Sequence, residues 1–380
     1  MSDQIRIAIL FEYASLNGGE HSMLAALDEL RTTADFEFVA ITPAEGPLVE
    51  QLRERGIESH TFAQRGSDGI RLSADDVRDQ LKSIVNRIRP TILHANSLAM
   101  GRLTGSIAAD LSCHCTSHLR DIIKVSKSAM ADLNRNAGLA AVSNATRDFH
   151  IDHGMDPARV VTVYNGVDLD QFQPRPKTGS LITELGLPDD AFVVLTVGQI
   201  GLRKGLDVLA AAAVDVCRQT SNVHFVIVGE RHSQKAESVE FDRNLEARLN
   251  EAGFANRWHR LGRRNDVAKL MNEANLLAHA AHQEPLGRVL LEAASSGLPI
   301  VATNVGGTNE ILEDSVSGIL VPPRDRDALA AAICQRHANP QQNDTLQRAA
   351  RQVMVERFAI KMAAANLVTF WREANAPIVK

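Results

Sequence analysis

"HQEPLGRVLLEAASSGLPIVATNVGG", residues 282–307, decides how the chain is read. It follows the apolar run "NLLAHAA" (275–281), which reads as a buried strand ending near Ala281. A loop, "HQEPLG", then leads into "LGRVLLEAASSG", whose apolar positions recur at helical spacing up to Gly297 and Pro299. "PIVATNV" is a second short apolar run, and a Gly-Gly loop follows it. Strand, loop, helix and strand in this order form one β-α-β unit, which requires parallel strands.

The same alternation runs outward in both directions. "IRIAILF" (5–11) reads as a buried strand and "GEHSMLAALDEL" (19–30) as a helix. "FEFVAIT", "ESHTF", "TILHANS" and "CHCTSH" are further strands, separated by helical patterns such as "SADDVRDQLKSIVNRIRP". At residues 165–180, "NGVDLDQFQPRPKTGS", turn residues and prolines cluster as in a linker. Alternation then restarts with "AFVVLTVG", "GLDVLAAAAVDVCRQ" and "VHFVIVGE". The expectation is an α/β chain of two doubly wound, Rossmann-like domains: 1–165, a linker at 166–185, and 186–359. A chain of 380 residues is too long for one typical domain and fits two.

Composition narrows the functional classes. A net charge of −5 with no Lys/Arg run gives nucleic acid no electrostatic footprint. "MSDQIRIAILFE" has no basic n-region and no long apolar stretch, so neither a signal peptide nor a transmembrane helix is expected. Four cysteines do not make a disulfide framework, which points to a reducing cytoplasm. Cys113, His114, Cys115 and His118 invite a metal reading. No second ligand pair follows at zinc-like spacing, and no metal is assigned.

Ligands of open α/β sheets bind at the carboxyl ends of the strands. The loop before the "LGRVLLEA" helix therefore delivers Glu284 to such an edge, beside a helix N-terminus. Backbone N–H groups around Leu286, Gly287, Arg288 and Val289, with the helix dipole, would attract an anion. Glu292 lies five residues beyond Gly287, about 7.5 Å along the axis, roughly the span from a diphosphate to its ribose. A carboxylate there can accept hydrogen bonds from ribose hydroxyls. "VGQIGLRKGLD" (197–207) is a second strand-to-helix transition, and Arg203 and Lys204 open its helix beside Gly198. Gly306 and Gly307 read either as a plain turn or as backbone that approaches a ligand. Gly18 and Gly19 occupy the corresponding place in the N-terminal half, where His94 and His118 end strands. Strand-end histidines are more often structural than catalytic. The pairs Asp168/Asp170 and Asp325/Asp327 lie in turn-like segments and are given no metal. No Walker sequence and no GxGxxG occurs.

Taken together, these motifs resemble one family. "EPLGRVLLEAASSGLPIVATNVGGTNEIL", "VGQIGLRKG", "VSNATRDFHIDHGMDPARVVTVYNGVDLDQF" and "LNGGEHSMLAAL" are similar to segments of the family 4 retaining glycosyltransferases, group 1. The resemblance is strongest over residues 141–323. Leu286, Gln199 and Ala281 stand where many relatives have Phe, Arg and Ser. The resemblance implies a GT-B fold, a donor-binding C-terminal domain, and a last helix (360–380) that crosses back to an acceptor-side N-terminal domain. It implies that Arg203 and Lys204 bind a diphosphate, Glu284 the transferring sugar and Glu292 the ribose, with Gly198 and residues 286–289 adding donor contacts. His118 would lie by the sugar, and Gly19 near the phosphate or acceptor. It implies a retaining hexosyltransferase with no cofactor beyond its nucleotide-sugar substrate, a UDP-sugar in first place. The acceptor would be a glycan or lipid-linked molecule of cell-envelope synthesis, at the inner face of a membrane. A sugar-nucleotide epimerase of the same fold and a silent nucleotide-sugar binding subunit are the competing readings.

Overall fold

The computed structural model describes residues 5–31 and 35–376. The chain divides into two compact units, one formed by residues up to Gly166 together with those from Ile360 on, the other by Val167–Ala359.

The first unit holds seven strands: β1 (Ile5–Leu10), β2 (Phe36–Thr42), β3 (Glu58–Thr61), β4 (Ile92–Ala95), β5 (His114–Leu119), β6 (Gly138–Ala141) and β7 (Val160–Thr162). They form one parallel sheet in the order β3-β2-β1-β4-β5-β6-β7. β1 shows why it lies at the centre. Ile7, Ala8, Ile9 and Leu10 are all almost fully buried. Alternation sends Ile7 and Ile9 to one face, against Met23, Leu27, Phe370 and Trp371. It sends Ala8 and Leu10 to the other, against Leu81, Ile84, Val85 and Met100. A strand buried on both faces is apolar throughout, and parallel sheets consist of such strands. The helix Ile360–Ala374 supplies Phe370 and Trp371 to this core, which anchors the chain's last helix in the first unit.

The second unit holds β8 (Phe192–Val197), β9 (Val223–Val228), β10 (Trp258–Gly262), β11 (Leu276–His279), β12 (Ile300–Thr303) and β13 (Ile319–Val321). The order is β10-β9-β8-β11-β12-β13, again parallel. The helix Leu206–Gln219 covers one face with Leu209, Ala212, Ala213 and Val216. In each sheet the first strand sits inside, and the order reverses beside it. The crevices beyond β1/β4 and β8/β11 are therefore the places where a doubly wound sheet takes its ligand.

Two histidines on neighbouring strands of the second sheet face each other, His224 Nδ1 lying 3.1 Å from His259 Nε2. Burial, then the Arg257 charge and His259, hold His224 down to about 4; burial and Arg257 also lower His259. The unfolded chain, whose histidines titrate near 6.5, then binds more protons than the folded one in the interval between. Stability should therefore fall as pH drops from about 6.5 towards 4. Thermal melts across this range check the sign, and a His224→Gln/His259→Gln variant should flatten the slope.

Candidate active site

The loops that leave β8, β11 and β12 converge. Gly205, after β8, has φ +63°, and a Cβ there would come within 1.8 Å of the Ala280 carbonyl oxygen after β11. Only glycine allows this approach. The His282 N–H donates to the Arg203 carbonyl at 2.9 Å, which ties the two loops together. The Gly307 N–H, after β12, donates to the Glu284 carbonyl at 3.0 Å.

Glu284 is at the centre of this junction and is buried. One carboxylate oxygen, Oε2, lies 2.5 Å from Lys204 Nζ and 2.9 Å from His279 Nε2. Burial alone would raise the Glu284 pKa. The Lys204 charge and the His279 hydrogen bond outweigh it and hold the carboxyl well below the usual range. His279 is also buried, and desolvation lowers its pKa. It therefore stays neutral and donates its Nε2–H to the carboxylate. The result is an ionised glutamate whose second oxygen remains available, held by one donor from the loop after β8 and one from the end of β11.

Gly287 takes φ +104° and starts the helix Arg288–Ser295. Leu286 and Val289 are buried with the core, so what they offer a ligand is backbone. The first-turn N–H groups of a helix have no intrahelical acceptor, and they attract anions. One turn further on, Glu292 is buried and its Oε1 lies 2.7 Å from Arg288 Nε. Burial raises the Glu292 pKa while Arg288 opposes it. Arg203 is exposed on the rim of the loop. Gly198 takes φ +153° beside the Lys204 stem. The structure thus brings Glu284, Lys204 and Gly198 together and places Glu292 with Arg288 along the neighbouring helix.

His118 and Gly19 belong to the other unit, where they flank Arg120. A Cβ on Gly19 would meet Arg120 Cδ at 2.9 Å, so this glycine lets the arginine lie across the opening of the helix Gly18–Leu30. The guanidinium donates to the Asn96 carbonyl, Asn96 Oδ1 and Asn165 Oδ1 at 3.1, 2.8 and 2.9 Å. Burial lowers the Arg120 pKa to about 10. His118 is buried and touches His94, with Nδ1 2.8 Å from His94 Nε2. Sequence reasoning did not find His279, Arg120, Asn96 or the His94–His118 contact. His279 sits two residues before the end of an apolar run, where its place on the strand is the one available signal. Cys113 and Cys115 are buried in the core on the far side of the same sheet, with Leu93 and Met100.

Comparison with known proteins matches this architecture. The model of the family "Glycosyl transferases group 1" matches residues 180–353, and that of "Glycosyltransferase Family 4" matches residues 16–171. With most of both units accounted for, the chain belongs to the family 4, group 1 glycosyltransferases. Among curated proteins, it is 31% identical over 223 residues to the D-inositol 3-phosphate glycosyltransferase of Saccharomonospora viridis, covering 58% of this chain and 51% of that one. It is 36% identical over 192 residues to the protein of that name from Geodermatophilus obscurus, covering 48% and 41%. The chain thus spans about half the length of the curated relatives it matches. Among solved structures, Anabaena HepE in complex with UDP-glucose superposes with a TM-score of 0.86 at 21% identity, over 97% of this chain and 100% of that one. Sucrose-phosphate synthase from Thermosynechococcus elongatus does so with 0.80 at 19%, over 97% and 99%. These likenesses establish the fold, two Rossmann-like α/β domains of the GT-B type.

The Glu284 pairing makes a prediction that needs no ligand. Lys204→Met leaves a buried carboxylate with one donor fewer, and removing one partner of a buried pair costs about 3 kcal/mol. Chemical denaturation should show that loss, and the double variant Lys204→Met/Glu284→Gln should recover most of it. Equal loss in single and double variants would contradict the pairing.

Proposed function

We propose that this chain transfers a sugar from a nucleoside-diphosphate sugar to an acceptor hydroxyl, with retention of anomeric configuration. The observation that carries the reading is the Lys204–Glu284–His279 cluster, which stands at the switch point of the second sheet beside the N-terminus of the helix Arg288–Ser295. An ionised carboxylate next to an anion-binding backbone suits a ligand that joins a polar sugar to a diphosphate. The second unit is assigned to the donor. Arg203, Lys204 and the helix N-terminus receive the diphosphate, Glu292 the ribose, and Glu284 the hydroxyls of the transferring sugar.

In the reaction, the bond between the anomeric carbon and the diphosphate oxygen breaks. The acceptor oxygen bonds to the same carbon from the same face, and its proton passes to the departing phosphate. A nucleoside diphosphate is a good leaving group, so the main demand is to stabilise the charge that develops on it. Fixed cations and oriented N–H groups meet that demand without reorganising. Glu284 as a glycosidase-type acid is disfavoured, because its Lys204 and His279 contacts hold it ionised.

The names of the relatives support a narrower choice. HepE is seen with UDP-glucose, and this favours a uridine donor. The curated relatives are named for an inositol phosphate, which joins lipid-linked and cell-envelope glycans as a candidate acceptor. Among the described residues no helix is long and apolar enough to cross a membrane. An inner-face, peripheral location remains part of the proposal.

A thermal-shift panel of UDP, GDP, ADP, CDP and NAD tests the donor site. A ligand at about 100 times its Kd adds roughly 2.7 kcal/mol. One nucleoside diphosphate should stabilise the wild type, and Glu292→Ala should lose most of that shift. With the base known, NMR of the product's anomeric proton should show retention; inversion sinks the front-face mechanism. Donor conversion without acceptor would identify the epimerase, and binding without turnover the silent subunit.

A further inference from the structure

His94 is fully buried and surrounded by three polar partners. Its Nδ1 lies 3.1 Å from Trp371 Nε1 and 2.9 Å from Thr116 Oγ1, and its Nε2 lies 2.8 Å from His118 Nδ1. An indole nitrogen carries a hydrogen and can only donate. His94 Nδ1 must then be the acceptor, because a proton there would oppose the indole N–H head-on. A neutral imidazole with a bare Nδ1 carries its proton on Nε2. That proton is donated to His118 Nδ1, so His118 in turn carries its own proton on Nε2. Neither ring can take a second proton without breaking this chain. His118 Nε2 has no partner among the described residues. His118 lines a cavity of about 20 Å³ with Ser22, Arg120 and Asn165, enough for one water or one hydroxyl group.

We infer that Trp371 and His94 are positioning residues that fix His118 as a permanent N–H donor at Nε2, so that His118 offers a hydrogen bond to a ligand oxygen and takes no part in proton transfer. The ligand role rests on the transfer reaction proposed above; the tautomer does not. The charged group facing the two rings is Arg120, past the end of β5, with Glu20 of the helix Gly18–Leu30 facing Arg120 in turn. The helix Ile360–Ala374 presents Phe370 and Trp371 to His94, both uncharged. Burial and the Arg120 charge both disfavour protonation of His94 and His118, in agreement with the hydrogen-bond chain. The device gives the last helix of the chain a function beyond packing, since its indole sets which nitrogen of His118 carries hydrogen.

The test is a long-range ¹H–¹⁵N correlation spectrum of histidine-labelled protein, assigned with His94→Gln and His118→Gln. Both rings should show the Nε2–H form and stay neutral from pH 8.5 to 5.5 (range chosen to bracket the free value of about 6.5). An Nδ1–H form, or protonation of either ring in that range, overturns the inference. Trp371→Phe removes the fixed donor and lets the pair reverse through the Thr116 hydroxyl. His118 should then populate Nδ1–H, and kcat should fall about tenfold, part of the 10²–10³ that a lost oxyanion-type donor costs, with UDP affinity changed less than twofold. An unchanged His118 tautomer in this variant overturns the inference whatever its activity. Thr116→Val should keep the Nε2–H form; reversal there would make Thr116 the fixing group and overturn the role of Trp371. Should Trp371→Phe fail to fold, the wild-type spectrum and Thr116→Val still decide. Expected tautomers without sugar transfer to any acceptor would sink the proposed reaction and the ligand role of His118, whereas reversed tautomers in a protein that turns over would sink the relay alone.

Discussion

The second unit is organised around one buried carboxylate. Glu284 accepts from Lys204 on the loop after β8 and from His279 at the end of β11, and its carbonyl accepts from Gly307 after β12. A buried charge is tolerated only when it is paired and hydrogen-bonded. Three loops therefore hold the places this charge requires. Gly205 and Gly287 belong to the same constraint, since each lets backbone approach where a side chain would collide. Groups paired in this way are held in place by their own contacts, the arrangement that the proposed charge stabilisation without reorganisation requires.

The first unit solves a different problem, the disposition of a part-buried arginine beside two neutral histidines. Arg120 is satisfied by amide oxygens of Asn96 and Asn165. His94 and His118 are joined by one hydrogen bond, and Trp371 closes the chain from a helix that joins the unit only after the whole second unit has been traversed. The same indole lies in the hydrophobic core with Phe38 and Leu27. Packing and proton placement are thus coupled through one side chain. An amphipathic aromatic with an apolar body and a single donor is suited to that double duty.

Much of this architecture was legible in the chain itself. The β-α alternation and the buried runs of β1, β8 and β9 follow from local patterning. The helices Ala236–Glu251 and Pro340–Arg357 were harder to read. Phe241, Leu245 and Leu249 of the first, and Leu346, Ala350 and Met354 of the second, give a narrow apolar stripe to a largely polar sequence. The strand expected to end near Ala281 ends at His279; Ala280 and Ala281 stay buried past the ladder, so the apolar run is longer than the strand. The relatedness to family 4 enzymes rests on motif combinations that any one loop would leave ambiguous.

By itself, the sequence determined the class of fold, the loops that follow the strands, and which of them carry acidic, basic and glycine residues. These are properties of period and spacing, and they are local. Only the tertiary structure decided who pairs with whom across the chain: Lys204 with Glu284 over eighty positions, and Trp371 with His94 over 277. The physical reason is that hydrogen bonds and ion pairs act over a few ångströms. Sheet order, not sequence distance, determines which groups come that close.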